Sequence, residues 1–191
     1  MPAARRFPLQ LIGAFFALYI IWGSTYLAIR IGGGGDVIYK QERIGLAGRP
    51  FTLYKFRSMK TNAEMDGHPM LFLNNDPRLT RIGRFLRAHH LDEFPQLWNI
   101  LRGDMSFVGP RPERKYYIDQ IIQQRPDYVR LYALRPGIFS RATLYNGYTD
   151  TIDKMITRLD MDLAYLEEQS LWLDIKIIGL TAIAIITGKE F

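Results

Sequence analysis

The 191-residue chain has no cysteine, which excludes disulfide scaffolds and thiolate metal sites. It has no internal repeat and no low-complexity tract beyond four consecutive glycines, Gly32 to Gly35, so solenoid and array architectures are excluded too. No recognised nucleic-acid motif is present, although the formal net charge is +6 and the basic residues concentrate between Lys40 and Arg141. A surface of that kind attracts anionic lipid headgroups, sugar nucleotides or nucleic acid. Nucleic acid is the weaker choice, because the arginines alternate with helix-core residues. Charge is missing altogether from residues 7–29, a stretch whose helical length of roughly 34 Å suffices to cross a hydrocarbon core. A membrane segment is expected there. A signal peptide is disfavoured, since the run is long and no small-x-small cleavage site precedes the glycines.

The rest divides accordingly. Residues 1–31 are expected to form the membrane segment, 32–38 a glycine-rich joint, and 39–191 one helix-rich α/β or α+β domain with a small β-hairpin or sheet. Gly45 and Gly48 with Arg49-Pro50 mark a turn between Ile44 and the run Phe51, Leu53, Tyr54, Phe56, which reads as a hairpin. Lys55 and Arg57 share one face of its second strand by the period of two. In the C-terminal third, Ile152, Met155, Ile156, Leu159, Leu163 and Leu166 follow helical spacing, with Asp150 or Thr151 as cap. Residues 171–188 are apolar except for Asp174 and Lys176. They suit an interfacial or core-packed helix better than a second spanning one, and Trp172 and Lys176 fit a headgroup boundary. Between these helices and the centre, residues 134–154 read as a polar, ligand-facing loop in which Tyr145 and Tyr148 are available to stack on a base or sugar, with surface packing as the default.

The chemistry concentrates in LDEFPQLWNILRGDMSFVGPRP, residues 91–112. A helix is expected at RIGRFLRAHH, with Ile82, Phe85 and Leu86 on one face. Asp92 and Glu93 follow it, and Pro95 disfavours a helical conformation at Phe94, which puts the pair at a helix end or kink. Adjacent carboxylates repel. A divalent cation such as Mg²⁺, which takes hard oxygen ligands and shares them with phosphate, relieves that repulsion, and a carboxylate can also attack phosphorus as a nucleophile. A plain acidic pair at a surface helix end is the competing reading. Arg111 stands between Pro110 and Pro112, so its backbone is confined and little entropy is lost in aiming its guanidinium at a phosphate. His89 and His90 precede the pair; a solvated or backbone-bonded role is preferred over general-base catalysis.

Taken together, KQERIGLAGRPFTLYKFRSM, DPRLTRIGRFLR, LDEFPQLWNILRGDMSFVGPRPE, LRPGI and SLWLDIKI resemble the bacterial sugar transferase family, the small monotopic phosphoglycosyl transferases. The resemblance runs from about Tyr39 to the C-terminus. It implies a Mg²⁺-dependent transfer of a sugar 1-phosphate from a UDP-sugar to a polyprenol phosphate such as undecaprenyl phosphate, with UMP released. It further implies Asp92 as nucleophile, Glu93 beside it helping to hold Mg²⁺, and Arg111 as phosphate-binding arginine. Lys55 and Arg87 match basic positions assigned to diphosphate or carrier phosphate. A bacterial inner-membrane location follows, with the catalytic domain facing the cytoplasm, where sugar nucleotides are made, and membrane lipids and possible downstream glycosyltransferases as partners. The rival reading is a non-catalytic basic membrane-surface protein that binds anionic lipid or nucleotide. Residues 1–31 depart from the family pattern: no Ser-Pro break interrupts the apolar run, and FALYIIWGSTYLAIRIG resembles the first membrane helix of drug/metabolite transporters. Whether the segment spans or re-enters stays open, because basic residues flank it on both sides.

Overall fold

The computed structural model describes residues 35–61, 63, 70–71, 76–146 and 151–187, together with Gly23, Tyr26, Ile29 and Arg30, which are helical. Most of the 1–31 segment, the glycines at 32–34 and Tyr148 lie outside the described residues.

Strand β1 (Ile38–Ile44) pairs antiparallel with β2 (Pro50–Phe56), Ile38 opposite Phe56 and Ile44 opposite Pro50. The expected turn closes them, with the Gly45 amide donating to the Arg49 carbonyl at 2.9 Å. Past the hairpin the chain reaches helix α1 (Arg81–Ala88), which starts where Thr80 Oγ1 accepts the Gly83 amide at 2.9 Å. Leu86 is buried with Ile29 and Val37, and Ile82 packs against that cluster. Phe85 departs from the expected face: it is 52% exposed, with its ring 4.4 Å from that of His89. Gly83 takes the buried place, because α1 crosses the chain at Ser58 so closely that a Cβ on Gly83 would stand 1.8 Å from the Ser58 carbonyl oxygen.

A one-turn 3₁₀ segment (Leu91–Glu93) leads into α2 (Gln96–Arg102) and then β3 (Ser106–Val108). Strand β3 pairs in parallel with β4 (Gly137–Phe139), so the intervening chain must cross over. It does so as α3 (Lys115–Gln124) and a 3₁₀ segment (Pro126–Ala133). Neither Gly109 nor Gly137 has room for a side chain, since a Cβ on Gly137 would lie 2.2 Å from the Gly109 nitrogen. That approach lets the Gly137 amide reach the Pro110 carbonyl and the Gly109 amide reach that of Phe139, each at 3.0 Å. The GPRP and RPG motifs are therefore laced together.

The expected loop after β4 is partly helical. Ser140 Oγ accepts the Ala142 amide at 3.1 Å and opens the short helix α4 (Arg141–Asn146). Helix α5 (Ile152–Glu168) has Thr151 as its cap, accepting from Lys154 N. Its Met155, Leu159 and Leu163 close the main core against Tyr117, Ile118 and Ile121 of α3 and Tyr128 and Leu131. Helix α6 (Leu171–Thr187) buries Ile177 against Val108 and Tyr165 while Leu171, Trp172, Ile175 and Ile183 stay exposed. Among the described residues no helix is long and apolar enough to cross a membrane. Two small sheets with helices gathered around them make the architecture α+β.

Because the Gly83 contact is with backbone rather than a movable side chain, Gly83→Ala is expected to cost about 2–3 kcal/mol. Urea unfolding checks this; a variant as stable as the wild type would contradict the close crossing of α1 and Ser58.

Candidate active site

Asp92 and Glu93 lie on the 3₁₀ turn, entered from His90 in the left-handed region at φ +53°, a conformation histidine tolerates better than most residues. The kink expected at the pair is present, but Phe94 is helical, at φ −51° and ψ −39°, despite the following proline. Two overlapping turns hold it there, its amide donating to Leu91 and its carbonyl accepting from Leu97. Asp92 is buried at 5% exposure.

The two carboxylates occupy different electrostatic surroundings. Glu93 Oε1 lies 2.7 Å from Lys55 Nζ and 3.5 Å from Arg111 Nη2. Burial pushes the Glu93 carboxyl up, but Lys55 and Arg111 outweigh it and hold the group well below the usual carboxylate range. Among the described residues the ion-pair contact of Asp92 Oδ2 is a longer one, 3.9 Å to Arg87 Nε. Burial raises its carboxyl and the Glu93 charge adds to that, against Lys55 and Arg87, so it ends above the ordinary aspartate value. Lys55 is the costly member of the cluster: burial lowers its ammonium more than Glu93 raises it, and Arg111 lowers it further. An adjacent pair driven in opposite directions is chemically suited to two roles, one group remaining an anion and the other a more basic carboxylate able to act as a nucleophile.

All five site residues expected from the sequence, Lys55, Arg87, Asp92, Glu93 and Arg111, line one cavity of about 690 Å³. Apolar side chains line it too, among them Phe94, Leu97, Phe107, Phe139 and Leu144. Phe94, Leu97 and Phe107 are also 46%, 39% and 51% exposed, which puts them at the mouth. Arg57 and His90 line the cavity as well. Burial lowers the His90 imidazole. His89 Nδ1 lies 2.9 Å from the Phe85 carbonyl oxygen, a backbone-bonded arrangement. Tyr145 is 65% exposed and does not line the cavity.

Several structural partners escaped sequence reasoning. Asn99 is fully buried, donates from Nδ2 to the Thr52 carbonyl at 2.7 Å, and accepts the Tyr54 amide at 3.2 Å. It thus acts as a short extra strand edge, fixing β2, which carries Lys55, to α2, which follows the dyad. Ser58 Oγ accepts from Arg87 Nε at 3.1 Å. Glu113 joins Arg158 at 2.8 Å and Arg43 at 3.4 Å. A signal for Arg158 and Asp162 was available, since both fall inside the apolar stripe of α5 defined by Met155, Leu159 and Leu163.

No group of three or more acidic or histidine side chains stands ready for a metal among the described residues. The dyad alone fits Mg²⁺, which commonly takes one or two carboxylates and completes its shell with waters and substrate phosphate.

Two outcomes are expected. The stability Glu93 gains over Glu93→Gln is present above the ordinary glutamate value of 4.5 and lost as pH falls through the depressed folded value. Thermal melts from pH 8 to pH 3 should therefore show a constant gap that narrows only in acid, and a gap widening below pH 4.5 would reverse the assignment. Asn99→Ala leaves the Tyr54 amide and Thr52 carbonyl without their partner and should cost about 2–3 kcal/mol in urea unfolding; a change within about 0.5 kcal/mol would show that Asn99 does not pin the strand.

A sequence profile of the bacterial sugar transferase family matches residues 7–188. The chain is 38% identical over 165 residues to UDP-N-acetylgalactosamine-undecaprenyl-phosphate N-acetylgalactosaminephosphotransferase of Aeromonas hydrophila, covering 86% of this chain and 39% of that protein. It is 43% identical over 157 residues to UDP-glucose:undecaprenyl-phosphate glucose-1-phosphate transferase of Escherichia coli (strain K12), covering 81% and 34%. With the protein of that same name from Caulobacter vibrioides it shares 38% identity over 180 residues, covering 93% and 66%. The chain spans between a third and two fifths of the length of the first two. With the profile extending over nearly the whole sequence, the chain belongs to the bacterial sugar transferase family.

Proposed function

We propose that this protein transfers a sugar 1-phosphate from a UDP-sugar to undecaprenyl phosphate, releasing UMP and starting a membrane-bound glycan. One observation carries the reading: neighbouring carboxylates whose proton affinities are shifted in opposite directions share a cavity lined by both cationic and apolar side chains. The relatives' names point to the same donor and acceptor classes.

In the first step an Asp92 carboxylate oxygen attacks the β-phosphorus. The bond from that phosphorus to the bridging oxygen breaks, UMP leaves with the electron pair, and the sugar phosphate stays on Asp92 as an acyl phosphate. A phosphate oxygen of the lipid then attacks the same phosphorus and the acyl phosphate bond breaks, which restores the Asp92 carboxylate and yields the lipid diphosphosugar. Lys55, Arg87 and Arg111 face the diphosphate and the carrier phosphate with fixed positive charge. Glu93, held ionised by Lys55 and Arg111, keeps those cations oriented. Asp92 and Glu93 would hold Mg²⁺, and the ion would supply neutralisation of charge on the phosphates.

The surface supports work at a bilayer. Phe94, Leu97 and Phe107 of the cavity lining, Trp98 and Leu101 on α2, and Leu171, Trp172, Ile175 and Ile183 on α6 are exposed, large apolar side chains of the kind that mark interaction surfaces when they cluster. Together with the uncharged run at residues 7–29, this favours attachment to the bacterial inner membrane with residues 39–191 on the cytoplasmic side as the catalytic unit, the 1–31 segment as anchor and 32–38 as joint.

UMP release by nanodisc-embedded protein from a panel of UDP-sugars, with undecaprenyl phosphate and Mg²⁺, tests the proposal. Wild type should turn over, chelation should stop it, and Asp92→Asn should lose at least about 1000-fold. Turnover that survives Asp92→Asn would reject Asp92 as nucleophile. Lipid or nucleotide binding without any turnover would favour the non-catalytic reading.

A further inference from the structure

We propose that Asp162 is a positioning residue for the transfer site, fixing the Arg111 turn from the side opposite the cavity. The inference rests on the reading above, in which Arg111 holds a substrate phosphate.

The Arg111 turn is short of backbone donors. Pro110 and Pro112 have no amide hydrogen, so the single backbone donor between Pro110 and Pro112 is the Arg111 N–H, and it donates to the Asp162 carboxylate. The turn's other backbone groups are tied down from different elements. The Pro110 carbonyl accepts from the Gly137 amide at 3.0 Å, and the Pro112 carbonyl accepts from Arg43 Nη1 at 3.0 Å. Asp162, at 3% exposure on α5, is itself held by Ser140 Oγ, which donates to Oδ1 at 3.1 Å. One turn earlier on α5, Arg158 reaches Glu113, which follows directly on the turn, at 2.8 Å.

Ordinary stability does not account for an acid here. Asp162 is buried beside Ile121, Leu131 and Leu159 as well as Arg111, Glu113 and Arg158, and a buried ionic cluster is often no more stable than matched apolar packing. Burial pushes the Asp162 carboxyl up to about 7, against the opposing pull of Arg158 and Ser140. Either protonation state keeps an oxygen that can accept the Arg111 N–H. What such a group contributes is direction: with the backbone of Arg111 fixed, its guanidinium is delivered to the cavity, 3.5 Å from Glu93 Oε1.

A double-mutant cycle separates positioning from bulk stability. Asp162→Asn and Asp162→Ala are made alone and combined with Arg111→Ala, and kcat and KM for UMP release are read beside melting temperature. Expected is a loss of kcat of about tenfold for Asn and more for Ala with Arg111 present, shrinking to less than about twofold once Arg111 is gone. Equal losses in both backgrounds, or none in a folded variant, would overturn the assignment. Should the Asp162 variants fail to fold, Ser140→Ala, which removes one bond to the same carboxylate, must show a smaller loss with the same dependence on Arg111, and an independent loss overturns it equally. The cycle is also run on UDP affinity by calorimetry, which needs no turnover. A protein that binds UDP through Arg111 and Asp162 in concert but releases no UMP refutes the transfer reading and sustains this one, whereas UDP affinity indifferent to Arg111 refutes the positioning role.

Discussion

The 2.7 Å contact between the Lys55 ammonium and the Glu93 carboxylate is the interaction on which the site depends. Two carboxylates adjacent in the chain and both withdrawn from water cannot be equivalent, because their mutual repulsion grows as the dielectric falls. Lys55 and Arg111 break the symmetry by converging on Glu93, leaving Asp92 with one longer contact to Arg87. The cost falls on the buried ammonium. Rigid elements secure the pairing: the hairpin register sets Lys55 opposite Tyr39, and the Asn99 side chain ties that strand to the helix after the dyad.

The Arg111 side of the cavity obeys a similar logic with other materials. Two prolines remove freedom and donors from the turn, and two glycines let β3 and β4 approach until the GPRP and RPG segments exchange backbone hydrogen bonds. The parallel pairing is only three residues long on each strand, too short to be a stable sheet on its own. Its place is secured by packing of Val108 and Phe139 with α6 and by the ion pairs that Glu113 makes with β1 and α5. The site is thus built at the meeting of every major element rather than on one loop.

This explains which features were legible in the sequence. The hairpin at residues 38–56, the α5 stripe with its Thr151 cap and the kink at Asp92-Glu93 are local patterns, encoded by spacing and turn residues, and all are present. The gathering of Lys55, Arg87, Asp92, Glu93 and Arg111 on one cavity was accessible only through the family resemblance, since no periodicity relates residue 55 to residue 93. Where the expectations failed, other contacts, local or tertiary, had overridden them. Phe94 is helical before proline because flanking turns hold it, Phe85 yields the buried face of α1 to a glycine that crosses backbone, and the stretch after Phe139 is helical because Ser140 caps it. Arg158 and Asp162 were hidden for the opposite reason: attention to apolar spacing discards the charged residues that interrupt it.

The cavity's mixed cationic and apolar lining imposes one further constraint on the proposed reaction. A lipid phosphate is a headgroup on an apolar chain, so an enzyme using it must offer charge and an apolar path within a few ångströms of each other. Here Phe94 is next in sequence to Glu93, and with Leu97 and Phe107 it both lines the cavity and faces outward. A headgroup reaching Lys55 and Arg111 would leave its chain against that rim without crossing open water, and the Leu97 to Leu101 face of α2 would carry the rim down to the bilayer surface. In that reading the depth at which the domain sits would follow from the distance between dyad and rim, not from the length of an N-terminal anchor. An unusual N-terminal segment would be compatible with the proposed chemistry provided it lets that rim reach the lipid, because in that reading the apolar mouth would set the reacting phosphate's height.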